Sequence, residues 1–237
     1  MSDLRKPCIV ALGGGGWAAD TDPPKLEQYV LDLADQTRPR VCYVPTAQAD
    51  NDGAILRFYV AMSRVNCRPS HLMLFSRQIE DLRAFVLDQD VIWVAGGNTA
   101  NLLAIWRAHG LHEIFREAWQ QGVVLAGGSA GSLCWYEGGT TDSFGRILKP
   151  IYDGLGFLPG SHCPHYAFEG QRRTLYHSLI QEGKLAAGLA LADDVAARYE
   201  GPHLKEIVGR KPEARAYKVS RTAEGNVLEE ELIPRQL

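Results

Sequence analysis

The chain has 237 residues, 46% of them hydrophobic and 22% charged, with a formal net charge of -3. That usage belongs to a globular chain long enough to bury a full core; it excludes disorder and gives no electrostatic reason to expect nucleic acid as a partner. The N-terminus MSDLRKPCIV has no apolar targeting core, and no apolar run reaches the roughly 18 residues of a membrane span, so one cytoplasmic domain over residues 1–237 without membrane contact is expected. Short apolar runs then alternate with amphipathic ones. CIVAL (8–12) reads as a buried strand and 25–35 as a helix with Leu26, Tyr29, Val30 and Leu33 on one face. Strand 41–45 and a helix around 54–65 repeat the unit, HLMLF (71–75) reads as a third strand, and VIWVAGG (91–97) as a fourth. Two helical pieces broken at Gly110 lead to VVLAGG (123–128), a fifth strand. This alternation predicts an α/β fold, a mostly parallel sheet flanked by helices, with ligands beyond the carboxyl ends of the strands. After residue 185 the segments shorten, which predicts a small antiparallel C-terminal extension.

Three glycine clusters fall at predicted strand ends: 13–16, 95–98 and 126–131. In the third, Gly127 and Gly131 bracket Ser129 between strand and helix, the form of a nucleophile elbow, where small neighbours let the backbone turn sharply. An ordinary tight turn whose serine caps the helix is the alternative. The first cluster, GGGGWAADTD, lacks both the third spaced glycine of a dinucleotide fingerprint and a G-K-[ST]. It reads as a place of close backbone approach near the site.

A nucleophilic serine needs a base, and the base an orienting acceptor. Of seven histidines, His71, His109, His112, His177 and His203 sit in predicted strands, helices or distal turns, whereas His162 and His165 share a Pro-broken loop after the elbow. His162-x-x-His165 lacks a third ligand cluster, so no metal is expected. Five scattered cysteines without a C-x-x-C pair read as reduced residues, and Cys134, within the helix after the elbow, as packing. An α/β-hydrolase would place its histidine late, after the acid, unlike His165.

AGGNTANLL, AGGSAGSLCW, TTDSFG, CPHY and GLALADD, in this order and spacing, resemble the dipeptidase E (α-aspartyl dipeptidase) family of serine peptidases, with cyanophycinases as more distant relatives. The resemblance covers roughly residues 8 to 200. It implies a class I glutamine amidotransferase-like fold with serine at the elbow, no metal or organic cofactor, and short peptides as substrates. It also implies Ser129 as nucleophile, His165 as general base, and the backbone N–H groups of Gly97 and Ala130 as the oxyanion hole. The acid falls at Asp193, with Asp194 beside it, while Asp142 in TTDSFG also matches a family position. Asn98, Glu169 and Arg172 are the candidate substrate contacts.

One departure bears on specificity. Glu169 aligns with the arginine that pairs with the substrate aspartate in dipeptidase E, so neutral or basic side chains are expected to be cleaved better than Asp-X, unless Arg172 or Arg173 takes that role. Both arginines read as solvated charges at the start of a helix. A cyanophycinase-like hydrolase of β-linked aspartyl-arginine peptides and a non-catalytic binding protein on the same fold are the alternative functions. The sequence leaves the oligomeric state open.

Overall fold

The computed structural model describes residues 6–15, 24–166 and 170–237. In chain order the first half comprises β1 (Cys8–Leu12), α1 (Lys25–Asp32), β2 (Arg40–Val44), α2 (Asp52–Met62), β3 (Arg68–His71), α3 (Leu82–Leu87), β4 (Val91–Val94), α4 (Thr99–Ala108), α5 (Leu111–Gln120), β5 (Val124–Gly128) and α6 (Ala130–Leu133). There follow β6 (Tyr136–Thr141), β7 (Lys149–Ile151), β8 (Leu158–Cys163), α7 (Gly170–Gln181), β9 (Gly188–Leu191), β10 (Val195–Glu200), β11 (His203–Gly209), β12 (Ala216–Arg221), β13 (Val227–Leu232) and β14 (Arg235–Gln236).

Among the described residues these strands form two sheets. The larger runs β14-β11-β10-β1-β5-β4-β2-β3, parallel from β1 to β3, with β10 antiparallel to β1. Its central strands are apolar and wholly buried because helices or a second sheet cover both faces. Alternation assigns Cys8, Val10 and Leu12 to the core under α1 and α2, and Ile9 and Ala11 to the core under α4 and α5. The smaller sheet, β13-β12-β9-β8-β6-β7, adds Leu158, Leu189 and Ala216 to that second core, and α7 closes its own cluster around Tyr166, Tyr176 and Val219.

Two expectations change. HLMLF is not the third strand: β3 is Arg68–His71, pairing Arg40 to Tyr43 with Arg68 to His71, while Leu72 and Leu74 bury as loop residues. An apolar run alone does not separate a strand from a buried connection. The antiparallel pairing expected after residue 185 is present but divided: β10 and β11 extend the large sheet, and β12 and β13 the small one, which already begins at Tyr136.

Candidate active site

The order β1-β5-β4 sets the ends of three neighbouring strands side by side, and with them all three glycine clusters. At the end of β5, Ser129 has φ 57° and ψ -116°, a conformation that costs a residue with a β-carbon about 1–3 kcal/mol and persists only where its surroundings enforce it. They do. Ser129 N–H donates to Leu12 O at 3.1 Å, and Ser129 O accepts from Ser132 N, Leu133 N and Ser132 Oγ at 3.0, 2.9 and 2.8 Å. A β-carbon on Gly127 would lie 2.4 Å from Gly131 O, and one on Gly131 2.4 Å from Val94 O, so only glycine lets β4, β5 and α6 approach this closely. Ser129 occupies the N-cap position of α6, yet its side chain makes no capping bond.

His165 follows β8 in a turn, with φ 55° and its N–H on Gly13 O at 3.1 Å. Its Nδ1 lies 2.6 Å from Asp193 Oδ1. A carboxylate accepts only, so Nδ1 donates to Asp193 and Nε2 is the ring nitrogen left for another partner. The hydrogen bond from His165 holds the Asp193 carboxyl below the usual range against the opposing effect of burial, helped by the charges of His165, Arg172 and Lys211. Gly14 packs on this pair: a β-carbon there would come within 2.2 Å of both Asp193 Oδ1 and His165 Cε1. The close approach expected of the first glycine cluster is thus to the histidine and its acid; Gly16 lies outside the described residues.

Asp194 goes elsewhere. It bonds Arg210 Nε at 2.7 Å and Lys211 Nζ at 2.6 Å, and Arg210 Nη2 in turn donates to Gly15 O at 3.1 Å, tying the glycine loop to β11. Asp193 and Asp194 lie in the turn between β9 and β10, and Asp194 has φ 66°, so turn geometry rather than strand alternation separates their directions. Asp142 is largely exposed and pairs with Arg172 Nη2 at 3.5 Å. Arg172 is buried, correcting its reading as a solvated charge: the first turn of α7 faces the sheet there. Arg173 is exposed and pairs with Glu229. The Asn98 side chain caps α4, accepting from Asn101 N at 2.8 Å, and donates to Ser143 O at 3.0 Å. Glu169 lies outside the described residues.

His162 and His165 diverge. His162 is buried, with Nδ1 2.8 Å from Leu189 O, Nε2 3.0 Å from Ser132 Oγ, and its ring stacked on Tyr136. Burial lowers its pKa to about 4, so it stays neutral and braces the elbow from below. Neither the Ser132–His162 pair nor the Ser143–Thr99 contact has a local sequence signal, because each joins residues distant in the chain. Ser143 Oγ accepts from Thr99 N at 2.8 Å, docking the TTDSFG loop on α4. Among the described residues no group of three or more His, Cys, Asp or Glu is placed to hold a metal, and no helix is long and apolar enough to cross a membrane. Cys134 is buried, which pushes its thiol pKa well up and disfavours a thiolate nucleophile.

Ser129 and His165 line one cavity of about 580 Å³. Gly96 and Gly97 form its wall beside the serine: a β-carbon on Gly96 would sit 3.2 Å from Ser129 Cβ, and one on Gly97, at φ 133°, 2.3 Å from Ala47 O. Ala130 opens α6, where an amide has no carbonyl of its own helix to reach. Tyr43, Trp93, the α2 residues Leu56, Arg57 and Val60, and Arg64 just beyond α2 complete the lining.

Solved structures share this fold. A peptidase from an acI-B1 Actinobacterium superposes with a TM-score of 0.72 at 16% identity, covering 98% of this chain and 96% of that one. A putative peptidase E from Listeria monocytogenes EGD-e gives 0.62 at 15% identity, over 87% of this chain and 100% of its own. The fold is that of peptidase E structures, the class I glutamine amidotransferase-like arrangement. In sequence, the uncharacterized peptidase YgaJ of Bacillus subtilis (strain 168) is 46% identical over 211 residues, covering 89% of this chain and 91% of its own length. Peptidase E of Streptomyces coelicolor is 26% identical over 190 residues, or 76% of this chain and 74% of that one. Residues 9–207 match Peptidase family S51. A match of that extent, with a full-length relative that shares nearly half its residues, makes this chain a member of peptidase family S51, a serine hydrolase that acts on peptides.

Proposed function

We propose that residues 1–237 form one peptidase domain that hydrolyses short peptides through an acyl-enzyme, with Ser129, His165 and Asp193 as its triad. The observation that carries this reading is the 2.6 Å His165–Asp193 pair on the cavity that also holds the strained Ser129. With Nδ1 committed to Asp193, His165 Nε2 takes the proton as Ser129 Oγ attacks the scissile carbonyl. The developing oxyanion turns to the N–H groups of Gly97 and Ala130, each such donor being worth about 10²–10³ in turnover. His165 passes its proton to the leaving amine, and water, activated the same way, hydrolyses the Ser129 ester. The five buried cysteines form no disulfide, which fits a reducing compartment such as the cytoplasm.

The cavity favours a peptide with an uncharged apolar side chain, set against Tyr43, Trp93, Leu56 and Val60. Its charged lining, Arg57 and Arg64, would repel a basic side chain, so of the neutral or basic preference drawn from the alignment only the neutral half keeps support.

A fluorophosphonate should label Ser129 alone, and Ser129→Ala should abolish both labelling and hydrolysis without loss of folding. An intact-mass spectrum with no adduct on the wild-type protein returns the chain to a binding role. For specificity, kcat/KM on Phe-Leu should exceed that on Arg-Leu by about tenfold or more, the worth of one well-filled apolar subsite. Asp-Leu as the best substrate would restore the aspartyl preference, and Arg-Leu would show that the α2 wall does not read the side chain.

A further inference from the structure

The acid–base half of the site is held in part from outside the segment that matches the family. His165 and Tyr166 are consecutive, and His165 adopts the left-handed φ of 55° that its β-carbon disfavours. Two backbone bonds restrain the pair, His165 N to Gly13 O at 3.1 Å and Tyr166 N to Leu191 O at 3.0 Å. Beyond these bonds and the His165–Asp193 pair, the Tyr166 side chain adds a further restraint. It is buried against the rings of Tyr176 and Tyr217, at centroid distances of 6.3 and 5.2 Å. Its hydroxyl donates to Glu229 Oε2 and lies 2.8 Å from His177 Nε2, which is itself 2.8 Å from the same carboxylate oxygen. Arg173 pairs with both oxygens, donating from Nε to Oε2 at 3.1 Å and from Nη2 to Oε1.

We propose that Glu229 is a positioning residue for the catalytic histidine, acting through the Tyr166 hydroxyl. The inference rests on His165 being the base. Glu229 stands on β13, which reaches the small sheet only by pairing with β12, and β12 with β9. Both β12 and β13 lie beyond residue 207, where the match to the family ends. The hairpin therefore sets a fixed carboxylate toward the residue next to His165. A surface ion pair with Arg173 alone would not account for the arrangement, because Tyr166 and His177 converge on the same oxygen. Burial works to raise the Glu229 pKa, yet the hydrogen bonds from Tyr166 and His177 and the Arg173 charge outweigh it, so the group is the anion that both donors require.

The test compares Glu229→Ala, Glu229→Gln and Tyr166→Phe with wild type, each normalised to sites titrated by fluorophosphonate. Glu229→Ala should lower kcat about ten- to hundredfold with KM within about threefold, since a histidine displaced by a fraction of an ångström loses turnover rather than binding. Tyr166→Phe should show a loss of the same kind, and Glu229→Gln, which keeps an acceptor oxygen, should recover most of the rate. Placed on His165→Ala and assayed with an activated ester, Glu229→Ala should cost less than about threefold, because the group it positions is gone. Should Glu229→Ala not fold, Tyr166→Phe and Glu229→Gln decide by the same normalised rates. Wild-type kcat in the folded variants, or an equal loss with and without His165, overturns the inference. A wild-type protein that takes no adduct at Ser129 overturns the mechanism itself, and the inference with it.

Discussion

The two halves of the site are built by different means. The nucleophile half is local: Gly127, Ser129, Gly131 and Ser132 lie within six consecutive residues, and the strain at Ser129 is set by its own neighbours and the adjoining strands. The acid–base half gathers Gly14 after β1, His165 after β8 and Asp193 after β9, which belong to different sheets. The difference teaches that backbone geometry fixes the serine, whereas side-chain contacts across the fold fix the histidine.

Substitutions can break one half and spare the other. The largest effect falls on the acid: Asp193→Asn should lower kcat by about 10³–10⁴-fold with folding intact by circular dichroism, because the imidazole loses its tautomer. Asp194→Asn should chiefly loosen the Arg210 contacts and leave kcat within about tenfold, as should Asp142→Asn. A collapse of kcat in Asp142→Asn alone would move the acid to the TTDSFG loop. Next come the glycines. Gly14→Ala drives a methyl group into the His165–Asp193 pair and should cost about a hundredfold in kcat while thermal stability changes little. Gly131→Ala meets backbone on Val94 instead, and should lose stability along with activity. Equal melting temperatures for the two variants would erase the distinction between the halves.

A smaller effect is read by pH. His162 has its pKa lowered from the usual 6.5 to about 4, so the unfolded chain binds its proton first. Its contribution is complete above pH 6.5 and is lost progressively as pH falls through about 4, to a total of roughly 3 kcal/mol by linkage. Denaturant titrations from pH 7 to 4 should show this slope in wild type and a flatter one in His162→Gln; parallel slopes would mean that another group carries it. The smallest change is Asn98→Ala, which removes the α4 cap and should cost about 1 kcal/mol of stability, measured by urea titration.

Legibility followed the same division. The run 124–128, the elbow and the strand ends at 8–12 and 91–94 could be read from the sequence because consecutive residues make them. His165 and Asp193 could be named only through ordered motifs resembling a family, since nothing local says which carboxylate meets a given imidazole. Asp193 and Asp194 part in a turn where Asp194 has positive φ, a geometry that no residue pattern announces. His162 and Ser132 were illegible as a pair: a buried histidine and a helix serine acquire meaning only when β8 passes beneath α6.

The position of β1 carries a kinetic consequence. Ile9 pairs with Leu125 on one side and Tyr199 on the other, so β1 is enclosed only after both of these distant partners have been made. Pairings of such sequence separation slow folding, because the chain loses the entropy of large loops before the contacts that reward it can form. Until β5 and β10 leave the ribosome, CIVAL is an apolar strand with both edges open, the kind of segment that chaperones occupy and that aggregates when they do not. Expression of this protein should therefore respond to chaperone supply and growth temperature more than its stability once folded would suggest.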